Sequence, residues 1–147
     1  MFWLPPMILF ILAIIGFLIS SYFTVLSLNW LDPADSRIPS LCRLGQQTCN
    51  RVIFSPRARV FGVPNSLLGQ LFYVAILIGT VSRLLFVEPF YFLFLSASFL
   101  TVLLAIYLSY SLLFLTRIRC FLCFTSHLIN LIIFILLING KWPPDLF

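Results

Sequence analysis

The sequence predicts an all-α membrane protein: a four-transmembrane-helix bundle with a long polar cap loop between helices 1 and 2. Three observations predict it. Hydrophobic residues make up 62% of the 147-residue chain and charged residues 9%, against about 45–50% and about 25% in soluble domains. Apolar segments near the length of a bilayer span recur four times. One connection between them is 36 residues long, whereas the other two are tight.

The mean hydropathy of +1.13 excludes disorder, a coiled coil and an ordinary soluble globule. A chain this small has too much surface for its volume to hide so much apolar area, so lipid must be part of its solvent. The net charge of +5 reflects a shortage of acids rather than a basic patch, which argues against nucleic-acid binding. The chain reads as a single integral membrane domain over residues 1–147.

The first helix is expected over about 7–28, since Met7 to Leu28 carries no charge. A cleaved signal peptide fits it poorly. No Lys or Arg precedes it, the apolar run is too long, and no small-x-small site follows. The second is expected over about 65–82. Leu67 to Ser82 is short for the roughly 17–25 residues of a span and needs Asn65 and Ser66 as its first turn. The third and fourth are expected over about 89–115 and 120–139, both uncharged. The cap loop, 29–64, holds five Arg and four of the nine Pro. Unstructured loops of that length are usually functional.

Four spans put the first and third connections on one side of the membrane. Cys42 and Cys49 lie in the first connection, and Cys120 and Cys123 just after the third. All four cysteines thus fall on one face, with Asn65 starting helix 2 beside them. At about 100° per residue, Cys120, Cys123, His127 and Asn130 share an arc of about 80° on helix 4. Polar side chains inside a span usually face the bundle interior or a cavity, either as packing glue or as a site. A Cys-x-x-Cys at the mouth of the stripe favours a reactive pocket.

Cys120-Phe-Leu-Cys123 has the spacing of a reversible disulfide at a helix N-terminus, where exposed N–H groups favour negative charge. Cys120, nearer the water, is expected to be the readier partner for another thiol. Cys123, one turn deeper, is expected to meet something lipid-soluble. Cys42 and Cys49 form a second pair on a polar loop, and two pairs in series make a relay. No haem or dinucleotide motif is present, so a membrane quinone is the simplest two-electron acceptor. Three plainer readings stand beside this one: a structural disulfide at Cys42–Cys49 with inert thiols, a four-thiolate zinc site, or simple packing. No metal is expected.

The stretch Cys42-x6-Cys49-x5-Ser55, then Phe61-Gly62-Val63-Pro64-Asn65-Ser66-x-x-Gly69 and Phe72-Tyr73, then Cys120-x-x-Cys123, resembles the vitamin K epoxide reductase family from about Ile8 to Asn139. The resemblance implies a membrane oxidoreductase coupling thiol–disulfide exchange to quinone chemistry. With nine residues between Ser55 and Asn65, it resembles prokaryotic members, which draw electrons from a thioredoxin-like thiol oxidoreductase and pass them to ubiquinone, menaquinone or a related quinone. It implies that Cys42 takes electrons from that partner, Cys49 exchanges with Cys120, and Cys123 faces the quinone. Asn65 matches the family's amide donor to a quinone carbonyl, and Ser55 its cap-orienting hydroxyl. His127 stands where animal members have Tyr, and its imidazole can donate to the second oxygen or carry a proton. Phe61, Phe72, Tyr73, Phe121 and Phe124 are candidate walls. Asn65 also reads as the N-cap of helix 2.

The alternatives are reduction of a quinone or quinone epoxide for its own sake, with thiols as electron source, and a non-catalytic helix-bundle scaffold stapled by a disulfide or zinc. The resemblance puts the cysteines outside the cytoplasm of a prokaryotic inner or plasma membrane, where disulfides persist. The basic residues favour the opposite: Arg37, Arg43, Arg51, Arg57, Arg59, Arg117 and Arg119 share the cysteine side, leaving Arg83 and Lys141 on the other.

Overall fold

Uncharged runs of Leu, Ile and Phe satisfy their backbone polar groups internally by coiling into helices, the only open-chain solution in lipid. The computed structural model describes residues 4–30, 52–117 and 120–140. Its helices are α1 (Leu4–Ser27), α2 (Asn65–Val81), α3 (Phe90–Tyr110) and α4 (Phe121–Asn139). Three stretches are long and apolar enough to cross a membrane: Pro6–Ser27, Phe90–Leu115 and Phe121–Asn139. α2 is shorter, at 17 residues, or about 26 Å at 1.5 Å per residue. Cys42, Cys49 and most of the cap loop lie outside the described residues.

α1 and α2 run antiparallel, as do α3 and α4. Gly16 of α1 meets Tyr73 of α2, and Ser20, one turn later, donates to the carbonyl of Ser66, earlier in α2. Likewise Tyr91 of α3 donates to the Leu137 carbonyl at 2.7 Å, while Phe99 stacks near Phe134 with ring centroids 5.8 Å apart. α1 and α2 approach closely because Gly16 and Gly69 present no side chain where they meet, and Gln70 bonds Ser21 at 3.1 Å across the seam. Small residues with polar links are the usual adhesive where lipid removes the hydrophobic drive between helices.

The main core joins α1, α2 and α4 through Leu9, Ala13, Phe72, Tyr73, Ile76, Ile129, Ile133 and Leu137. A second cluster, Phe23, Leu26, Ile53 and Cys120, closes the other end. Outward faces carry exposed Leu18, Leu71, Leu93, Leu100, Phe114 and Ile138. Such surface would be a liability in water and is ordinary against acyl chains.

Two local features were not expected from the sequence. Residues 59–64 form a hairpin, β1 (Arg59–Val60) with β2 (Val63–Pro64), in the register Val60↔Val63. Its two-residue turn has Phe61 at φ 53° and Gly62 at φ 82°, the positive pair that a type I′ turn requires. The hairpin leads straight into Asn65. The second feature is a π-helical turn, Ser111–Leu115, ending α3. The Thr116 N–H bonds the Ser111 carbonyl five residues back at 3.0 Å, and the Thr116 hydroxyl donates to the Leu112 carbonyl at 3.1 Å. Such turns are frequent at functional sites.

A Cβ on Gly16 would lie 2.4 Å from the Tyr73 ring, whereas one on Gly62 would meet nothing within 4 Å. Gly16→Ala is therefore expected to cost about 2–3 kcal/mol through overpacking, and Gly62→Ala only about 1 kcal/mol through its positive φ. Thermal unfolding in detergent checks the order, and equal losses would contradict the close α1–α2 approach.

Candidate active site

The Cys-x-x-Cys sits where the chain turns into α4. Arg117 adopts φ 50°, and Cys120 is the N-cap residue, with extended backbone at φ −99°, ψ 107°. Cys123 is the third residue of the helix. The two sulfurs lie 2.9 Å apart, against about 2.05 Å in a disulfide, so a small side-chain shift closes the bond.

The two cysteines occupy different surroundings. Cys120 is 1% exposed, packed with Phe23, Leu26 and Ile53. Cys123 is half-buried and lines a cavity. Cys120 is thus the more buried of the two thiols, although the sequence suggests that it lies nearer the water. The helical-wheel argument placed Cys120 on the stripe with Cys123 and His127. As an N-cap residue it lacks helical dihedrals, and its side chain is tucked under the end of α1 and residues 52–53.

The cavity measures about 150 Å³ and is partly open. An apolar cavity of about that size holds one benzene ring. All four helices and the segment before α2 contribute to it. Phe23, Ile53, Leu68, Leu104, Ala105, Leu108 and Leu112 supply apolar wall, and Ser55, Asn65, Tyr73, Ser126, His127 and Asn130 supply polar groups. The topology thus brings Asn65, Ser55, His127 and Cys123 onto one cavity.

Each polar group has a local reason for its position. Ser55 Oγ donates to the Val52 carbonyl at 2.8 Å, closing the turn that precedes the 3₁₀ segment Pro56–Ala58. Asn65 is the first residue of α2, but Pro64 takes the N-cap position and no side chain caps the helix. The N-cap reading of Asn65 is thereby corrected. Its amide makes no hydrogen bond among the described residues and is left facing the cavity, as is the His127 imidazole. Deeper down, the Tyr73 hydroxyl donates to Asn130 Oδ1 at 2.7 Å and lies 3.2 Å from Ser126 Oγ.

Of the five proposed aromatic walls only Tyr73 lines the cavity. Phe72 is in the main core. Phe61 projects fully exposed from the hairpin, and Phe121 is also exposed. Phe124 is half-buried away from the cavity. Sequence reasoning missed Phe23 and the whole contribution of α3. A signal existed: Thr101 and Ala105, four residues apart on one face, interrupt the bulky apolar run Phe99–Leu108 with small residues.

A thiol pair at a helix N-terminus, against a ring-sized cavity with amide and imidazole donors, can exchange two electrons with a flat polar-edged molecule. Residues 7–138 match the family model described as the vitamin K epoxide reductase family. The chain belongs to that family. Its members are membrane oxidoreductases acting on quinones or quinone epoxides, so this chain is an oxidoreductase of the membrane, built as a helical bundle. No curated protein matches it.

The difference in burial sets an expected labelling order. In the reduced protein a small lipid-soluble maleimide should alkylate Cys123 at least several-fold faster than Cys120, read by mass spectrometry of quenched time points. The reverse order would contradict the burial of Cys120.

Proposed function

We propose that the chain is a four-span membrane thiol:quinone oxidoreductase supporting disulfide bond formation. A thioredoxin-like partner gives two electrons to Cys42 and Cys49, which reduce Cys120 and Cys123. That pair then closes into a disulfide, releasing two electrons and two protons that convert quinone to quinol. The observation that carries this reading is that Cys123, within 2.9 Å of the Cys120 sulfur, shares a cavity with Asn65 and His127.

The residues divide the work physically. Cys123 meets the ring from the side of the helix N-terminus, where the dipole favours negative charge. Asn65 donates to one carbonyl oxygen, and His127 donates to the other or relays a proton. Ser55 fixes the turn that holds residues 52–53 over the site. Family resemblance and the persistence of disulfides outside the cytosol support an extracytoplasmic site. Seven of the nine basic residues on the cysteine side run against the positive-inside rule, and cysteine labelling in intact cells decides the orientation.

The central test is anaerobic. Reduced protein, freed of reductant, is mixed with a short-chain quinone while quinol formation and alkylation of each cysteine are followed. Quinol is expected to appear as thiols disappear, and Cys123→Ser should abolish it. Thiols that stay reduced in the presence of quinone would sink the reading. Asn65→Ala is expected to raise KM for quinone about fivefold, the loss of roughly one neutral hydrogen bond, with kcat less affected. An unchanged KM would remove Asn65 from the binding site.

A further inference from the structure

An amide side chain has an accepting end and a donating end, so the end a neighbour takes decides what the other offers. Asn130 Oδ1 is taken by the Tyr73 hydroxyl at 2.7 Å. That hydroxyl has little freedom to turn away. Its ring lies against Gly16, where any Cβ would clash at 2.4 Å, and reaches toward Gly69 on the same seam. Ser126 Oγ, at 3.2 Å, engages it from one turn earlier on α4. What remains is the Asn130 NH₂ group. It makes no hydrogen bond among the described residues, and it is not sealed off by protein atoms. Asn130 lines the cavity, seven residues, or about 10 Å, down the helix from Cys123. A donor left without an acceptor inside a membrane bundle is costly, and here the open space beside it is ligand-sized.

We propose that Asn130 is a ligand-binding residue whose NH₂ donates to the carbonyl oxygen farther from Cys123 on a ring dicarbonyl held in the cavity, and that Tyr73 is the positioning residue keeping that NH₂ turned inward. The inference rests on the quinone reading above and adds a donor at the base of the same site. It explains why a polar residue is kept two turns below the cysteines. The Tyr73–Asn130 bond links helices, and it also fixes the polarity of the group the cavity presents.

The test is equilibrium binding to the oxidised full chain in detergent, so that affinity is read without turnover. A short-chain benzoquinone is compared with a cyclic monoketone lacking the second carbonyl, by calorimetry against micelle blanks. Asn130→Leu is expected to weaken benzoquinone binding about tenfold and Tyr73→Phe about threefold, the range of one neutral hydrogen bond. The double variant should bind no more weakly than Asn130→Leu alone, because Tyr73 acts through Asn130. Monoketone affinity should stay the same in all variants.

Unchanged benzoquinone binding in Asn130→Leu overturns the proposal, as do losses that multiply in the double variant. If Asn130→Leu does not fold, Tyr73→Phe decides. A loss confined to the dicarbonyl supports the role, whereas equal losses for both ligands show a merely structural one and overturn it. Wild-type protein that binds neither ligand removes the quinone reading itself, and this inference with it. Wild-type binding with an indifferent Asn130→Leu removes only the Asn130 role.

Discussion

Tyr73 lies 1% exposed at the point where three helices meet. Its ring fills the space that Gly16 leaves on α1, and its hydroxyl reaches Asn130 and Ser126 on α4. A ring is large enough to set a helix separation, and a hydroxyl is directional enough to set a rotation. In lipid the first matters because packing, not water exclusion, holds helices together. The second matters because a phenol without a partner would be costly there. The turn of α4 that carries His127 is therefore fixed one turn below Cys123. The cavity has a base because Tyr73 closes it.

The cysteine pair depends on that rotation and on the helix start. Cys120 belongs to the capping turn and Cys123 to the helix, so adjacent sulfurs look into different environments. One is sealed by Phe23, Leu26 and Ile53. The other opens on the cavity. A run of four residues thus spans the boundary between a dry cover and a ligand-sized space.

Much of this was legible in the chain. Charge-free runs marked where helices lie, because bilayer thickness imposes a length and excludes charge. The polar stripe Cys123, His127, Asn130 was legible because polar groups in a span avoid lipid. Other features were not. The wheel failed at Cys120 because periodicity holds only inside a helix. Seventeen Phe in a lipid-soluble bundle dilute the meaning of each, so four of the five suggested walls proved to be elsewhere. The α3 wall was hidden because its signal is the absence of bulk at Thr101 and Ala105. The hairpin was hidden because its turn places Phe61 at a positive φ, where Gly or Asn would have announced it.

In the proposed relay, the two half-reactions make different conformational demands. Thiol–disulfide exchange needs in-line approach of one sulfur to another. At Cys123 a small ring can approach from the cavity without moving the backbone. Cys120, by contrast, is packed among Phe23, Leu26 and Ile53. The turn held by Ser55 steadies residues 52–53 within that packing. The helix itself need not move, since the capping turn already lies outside its hydrogen-bonded ladder. The side facing the ring can therefore stay rigid, as positioning by several donors requires. In that relay the side facing another thiol works from within packed residues. A buried exchange partner beside an accessible one lets a thiol pair deliver electrons inward while limiting stray contact with other thiols.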